Sequence, residues 1–212
     1  MSKFTQPESE LVLKVVSDCA LNGITFTLAG TDSVKLPEEP DNQACAGFFD
    51  ASRKMLQVAT AVPFTNWLRI LLHEYNHLQQ WIDFPETAIE TDKQLNLLWG
   101  WLAGQCELEH KTVVDICFIA VGCELDCEKR SVEMIKSLHL PWDTEQYIRE
   151  ANSYLYLYPI IADTGKWCSK QAPYKVRELV SIMPAYFLDA TSYFNVPIEV
   201  EQLIIEKCMV SD

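Results

Sequence analysis

The chain of 212 residues is 49% hydrophobic and 11% aromatic, which suits one domain with a substantial core and excludes a disordered or fibrous chain. Its formal net charge is −13, and its densest basic step, Lys129-Arg130, lies in an acidic stretch, so neither a nucleic-acid backbone nor an anionic membrane surface is an expected partner. No apolar run approaches the ~18 residues of a membrane span, and Met1 to Glu10 contains no apolar signal core, so a soluble, cytoplasmic protein is expected.

In chain order, Leu11, Val12, Val15, Val16 and Cys19 recur at helical spacing between Glu8 and Leu21. Asn22-Gly23 stops that helix. Ile24 to Leu28 alternates with period two and predicts a strand. Gly30 to Gln43, with Pro37, Pro40 and several acids, reads as a loop. Residues 46–50 and 55–60 read as two strands joined by a tight turn at Ala51 to Lys54. Thr65, after Pro63, is a fair N-cap for a helix from Asn66 to Asp83, and Pro85 closes that segment. Further helices are expected from about Glu90 to Leu102 and from about Glu107 to Leu138, the latter as one long helix or two. Asp143 can cap a helix reaching about Leu157. Pro159, Gly165, Pro173, Pro184 and Pro197 punctuate the remainder, and a last helix covers Ile198 to Cys208. Helix, strand, two strands and then mostly helices is an α+β order.

The eight cysteines, at 19, 45, 106, 117, 123, 127, 168 and 208, are sparse for a disulfide framework. Several sit in apolar helical settings, where a free thiol packs as a small hydrophobe. Reduced cysteines are the better reading. Cys117, Cys123 and Cys127 are close in sequence, but no second pair of ligands with structural-zinc spacing accompanies them.

The motif with most chemistry is His73-Glu74-Tyr75-Asn76-His77. Two histidines four residues apart on a helix share a face about one turn apart, so their imidazoles can bind one tetrahedral Zn²⁺. Glu74 points to the side of that metal, from which it can take a proton from a zinc-activated water. With four histidines in the chain, the pattern is uncommon by chance, although an amphipathic core helix with two satisfied histidines would look similar. A catalytic zinc normally has a third protein ligand and an open position. Continuation as His-x-x-Gly-x-x-His would put Gly at 80 and His at 83, where this chain has Gln80 and Asp83. Farther on, Glu124 and Glu128 lie one turn apart on one helical face. One carboxylate can bind the metal while the other orients a ligand imidazole. Asp83, Glu107 and Glu109 are the rival carboxylates.

These residues resemble the gluzincin branch of the zincin metallopeptidases, in which a helical His-Glu-x-x-His is followed by a second helix bearing Glu-x-x-Ala-Asp. Glu124-x-x-Cys127-Glu128 is similar to that second motif, with Cys for Ala and Glu for Asp. The resemblance covers about residues 45–135, including the two strands before the motif helix. Such cores occur in cytoplasmic metallopeptidase-like proteins of phages and bacteria. It implies a single zincin-like domain over 1–212, with a small antiparallel-containing sheet, a His-Glu-x-x-His helix and a largely helical portion from about 140 to 212. It also implies Glu124 as third ligand and Glu128 as its supporting partner.

The expected function is a zinc-dependent metallopeptidase or peptidase-like hydrolase with Glu74 as general base and a peptide or protein substrate. The alternative is a non-catalytic zinc-binding regulator or interaction protein of the same architecture. A phenol among Tyr154, Tyr156 and Tyr158 could donate to a transition-state oxyanion, or the three could simply pack. His110 and Arg149 are lesser candidates. Met55 to Thr60 is a candidate edge for a peptide added as a strand.

Overall fold

Thr5 and Glu8 start the first helix by capping one another. The Thr5 hydroxyl accepts from the Glu8 N–H while the Glu8 carboxylate accepts from the Thr5 N–H at 2.8 Å. The computed structural model describes residues 4–35 and 44–209. The chain forms two compact units, one of Met1–Ile89 with Glu133–Pro141 and one of Glu90–Val132 with Trp142–Asp212. Each is considered by itself.

In the first unit, α1 (Gln6–Asn22) buries Leu11, Val15 and Cys19 and ends at Gly23, whose φ of 67° suits the left-handed cap. Strands β1 (Thr25–Ala29), β4 (Gly47–Asp50) and β5 (Met55–Ala59) form one sheet in the order β1-β5-β4. β4 and β5 are the expected antiparallel pair, and β1 joins the other edge of β5 in parallel. That parallel pairing makes β5 the middle strand, with Leu56, Val58 and Ala59 at 0% exposure. The segment 55–60 is therefore not an edge for an added peptide, because β1 already occupies its second ladder; β1 and β4 are the edges. The expected loop at 30–43 contains the short β2 (Val34–Lys35), which pairs with β3 (Ala44–Cys45). Its remainder, 36–43, lies outside the described residues. At the β4–β5 turn, the Asp50 carboxylate accepts from the Ser52 hydroxyl at 2.7 Å and the Arg53 N–H at 2.8 Å.

Helix α2 (Phe64–Asp83) packs on β4, β5 and α1. It starts at Phe64 without a side-chain cap, so Thr65 is not the cap that its residue type suggests. The start is set instead by an aromatic cluster. Phe64 packs edge-on against Phe4 at 4.8 Å and Trp67 at 5.6 Å. α2 ends at Asp83, before Pro85 as expected, and the next helix, α3 (Pro85–Leu102), starts at Pro85 rather than about Glu90, because a proline at the first helical position has no N–H partner to lose. α4 (His110–Ser137) is one continuous helix.

In the second unit, Asp143 caps α5 (Thr144–Leu155) by accepting from the N–H groups of Glu145 and Gln146. The helix stops two residues short of its expected end. Pro159 cannot donate to the carbonyl of Leu155, so the chain breaks at Tyr156 and restarts as α6 (Leu157–Thr164). α7 (Arg177–Ile182) and α8 (Ile198–Cys208) complete the unit around a core that includes Ile116, Val121, Leu155, Ile161, Leu179 and Ile204. Asn152, at 0% exposure, holds the segment after α7 by donating to the carbonyls of Pro184 and Tyr186. Arg149 donates to the Met183 carbonyl, which gives it a structural task. The whole is α+β, with a small mixed sheet, a two-stranded ribbon and a helical C-terminal portion. No helix among the described residues is long and apolar enough to cross a membrane.

Candidate metal centre

α2 brings His73 and His77 together as its periodicity requires. Their Nε2 atoms are 3.1 Å apart, with ring planes at 85°. Two metal–nitrogen bonds of about 2.05 Å spanning that separation would enclose an angle of about 100°, close to tetrahedral. His77 Nδ1 lies 2.9 Å from the Gln80 Oε1. A proton on Nδ1 then donates to that amide oxygen and leaves the Nε2 lone pair for a ligand, the usual way in which an outer partner fixes a ligating imidazole. Gln80 was legible in the sequence only as the residue standing where a glycine turn was absent. Its i+3 position relative to His77 was the signal that could have found it.

The surrounding unit holds this helix in place. The Tyr75 hydroxyl donates to Asp18 of α1, which also accepts from Lys14 at 3.2 Å and from Gln79 at 3.4 Å. Tyr75 is wholly buried; burial first, then the hydrogen bond to Asp18, pushes its phenol above the ordinary range, so it remains a donor. Asn76, also buried, donates within the helix to the Leu72 carbonyl at 2.9 Å.

Glu74 lies on the side of α2 that meets β4. A Cβ on Gly47 would stand 3.2 Å from Glu74 Cγ, 2.6 Å from Ile70 Cγ2 and 3.0 Å from the Gln57 carbonyl. The glycine is what lets the edge strand lie against this helix face. The thiol of Cys45, next to β4, is pushed up to about 11 by burial and then by the negative charge of Glu74. Asp83 is not brought to the imidazoles. The helix runs unbroken to Asp83, which places that residue roughly 120° around the axis from His77.

In the second unit, Glu124 and Glu128 occupy successive turns of α4, Glu124 half-buried and Glu128 buried. Each has a phenol. Tyr158 donates to Glu124 Oε1 at 3.2 Å, and Tyr147 hydrogen-bonds Glu128. Tyr154 packs edge-on against Tyr158 at 5.8 Å. Burial first, then the neighbouring carboxylate charge, pushes Tyr147, Tyr154 and Tyr158 well above the ordinary phenol range. Tyr156 is set apart from this group and packs against Tyr193 at 5.1 Å. Glu107 and Glu109 lie before the start of α4 and are exposed.

All eight cysteines are free thiols. Among the described residues, His73, His77 and Cys127 make up a donor set that could hold a metal ion, with no one metal fixed by it. Cys127 reads in the sequence as a small buried residue; its thiol chemistry is the added feature. No family model matches the sequence, and no curated protein or solved structure matches the chain.

Proposed function

We propose that this chain is a zinc-dependent hydrolase of peptide bonds, built on a zincin-like arrangement. The observation that carries the reading is the 3.1 Å approach of the two Nε2 atoms on α2, with Gln80 orienting one ring and a glutamate between the two histidines. In this reading, His73 and His77 are two metal ligands and α4 supplies the third. Glu124 is the third ligand that the second motif suggests; Cys127 is its rival as a donor. Glu128 is a supporting carboxylate.

A bound zinc ion would supply Lewis acidity, polarising the attacking water and the scissile carbonyl. The chain's own residues do the rest. Glu74 accepts the proton released by the water and delivers it to the leaving amine. Gln80 keeps the His77 ring in the tautomer that presents Nε2. Asp18 and Tyr75 fix the position of the helix that carries His73, Glu74, His77 and Gln80.

The test is metal content and peptide hydrolysis measured together on the full chain. Wild type should purify with, or take up, one zinc per chain, and His73→Ala should lose it. Glu74→Gln should keep the zinc and lower hydrolysis of a mixed peptide library by ~10²–10⁴-fold. Full activity in that variant would refute Glu74 as the base. A zinc-loaded wild type that cleaves no peptide would instead favour a non-catalytic regulator.

A further inference from the structure

Ile70, Glu74, His77 and Trp81 stand at i, i+4, i+7 and i+11 of α2, so they form one stripe along the helix. Strand β4 runs along that stripe. Gly47 meets it at Ile70 and Glu74. Two residues on, and so on the same face of the strand, Phe49 meets it at Trp81, with ring centroids 6.2 Å apart and planes at 55°. The two ends of the contact differ. At Gly47 the strand lies so close to the helix that even one added methyl group would clash. At Phe49 two large rings face one another at a tilt, and both keep part of their surface exposed. Trp81 follows His77 by four residues, so its indole lies about one turn, ~5.4 Å, beyond that imidazole. Lys54, exposed at the β4–β5 turn, places its ammonium 5.7 Å from the indole centroid, on a flexible stem that can swing aside for an incoming ring. The two rings, both imidazoles and Glu74 all belong to the first unit.

We propose that Phe49 and Trp81 form the specificity subsite of the α2 site, receiving a bulky apolar or aromatic side chain of a peptide whose scissile bond lies at the imidazole pair. This rests on the reading of that pair and Glu74 as the place of hydrolysis. A tilted ring pair can take a third ring edge-on or offset-stacked. The apolar area that such a ring removes from water favours a large side chain over a small one. Both walls stand on regular elements, a helix and a strand, whose spacing is fixed at the Gly47 contact. The subsite therefore keeps its place relative to Glu74, which shares the stripe, and selects the residue that lies one turn from the imidazoles.

The experiment takes two readouts on the full chain. The first sequences the products that zinc-supplied protein releases from a mixed peptide library. The second measures, by calorimetry, the affinity of Glu74→Gln protein for the capped tripeptides Ala-Phe-Ala and Ala-Ala-Ala, zinc-loaded where it takes up zinc and metal-free otherwise. Cleavage should cluster at one fixed distance from an aromatic or large aliphatic residue, and the phenylalanine peptide should bind ~10–100-fold more tightly than the alanine one. Trp81→Ala and Phe49→Ala should each lose most of that ratio while zinc content stays at the wild-type level. Trp81→Leu serves if Trp81→Ala does not fold. Phe84→Ala, which removes an exposed ring just beyond the helix, should leave the ratio unchanged. Equal affinity for the two peptides overturns the subsite, whether or not the library is cleaved. A ratio that survives in both the Trp81 and the Phe49 variants overturns it too, by placing the selection elsewhere. A binding ratio that depends on both rings in a chain that cleaves nothing supports the subsite and refutes hydrolysis, so the two readings fail separately.

Discussion

Replacing Gly47 with Ala should destabilise the first unit, although alanine is the better strand residue. Removing a glycine ordinarily stabilises by ~0.4–1 kcal/mol through the unfolded chain, where the backbone is compatible. Here the added methyl would lie 2.6 Å from Ile70 Cγ2. Comfortable carbon–carbon contact is about 3.5–4.0 Å, so something must move by roughly 1 Å. The Gln57 carbonyl at 3.0 Å belongs to the central strand β5 and blocks retreat on that side, and Glu74 Cγ stands at 3.2 Å. Overpacking of this kind costs ~1–3 kcal/mol, which outweighs the unfolded-state gain. Urea denaturation at neutral pH should show a lowered midpoint for Gly47→Ala. Ile70→Ala removes the atom in closest conflict, so the double variant should be more stable than the sum of the single effects. A Gly47→Ala protein as stable as wild type would show that the strand and helix are not as tightly apposed as these distances say.

Three other outcomes follow from the same geometry. Tyr75→Phe removes one donor from Asp18 but leaves Lys14 and Gln79, so it should cost ~1–2 kcal/mol by chemical denaturation; a neutral result would mean that the α1–α2 clamp carries no net stability. Gln80→Ala should weaken zinc binding by ~10–100-fold without abolishing it, and an unchanged chelator competition would remove Gln80 from the site. Burial pushes the Asp50 carboxyl up, but the Ser52 hydroxyl, the Arg53 N–H and the Arg53 guanidinium together bring it below its ordinary value. A carboxyl depressed in the folded state contributes stability that is present above the unfolded value of ~4 and is lost as pH falls through the folded one. Asp50→Asn should therefore have a flatter stability profile than wild type as pH falls below ~4, and parallel profiles would contradict the assignment.

What the sequence made legible divides along a physical line. Features fixed by one helix or one hairpin were readable: the β4–β5 turn, the Gly23 and Asp143 caps, the span of α8, and the shared face of His73 and His77. In each, the backbone periodicity sets the distance without help from the rest of the chain. Local residue type misled where tertiary packing overrode it. Thr65 has cap chemistry, yet Phe64 enters the helix because it completes a cluster with Phe4 and Trp67. β5 was offered as an edge because a hairpin leaves one side open, and only the parallel return of β1 closes it. Pro159 did carry its signal, and the break at Tyr156 follows from its missing N–H alone.

The candidate site obeys the same division. Two imidazoles at i and i+4 declare their common target because α2 does the positioning, whereas their supporting partners declare nothing in sequence. Asp18 meets Tyr75 across 57 positions and Glu124 meets Tyr158 across 34, and both pairings arise from how helices pack. Ligand chemistry carries a further ambiguity that spacing cannot remove. Glu124 and Cys127 stand three residues apart on one helix, and each is an acceptable zinc ligand. Two imidazoles with a carboxylate suit a hydrolytic zinc, while two imidazoles with a thiolate are shared by zinc and copper centres. A zinc ion with a thiolate among its ligands also activates water, so the third donor decides whether the gluzincin resemblance holds rather than whether the chemistry is hydrolytic, and Glu124→Ala beside Cys127→Ala tells the two donors apart. Loss of zinc in the first alone supports the gluzincin-like ligand set. Loss in the second alone moves the centre to a thiolate site and removes the ligand on which the gluzincin resemblance depends.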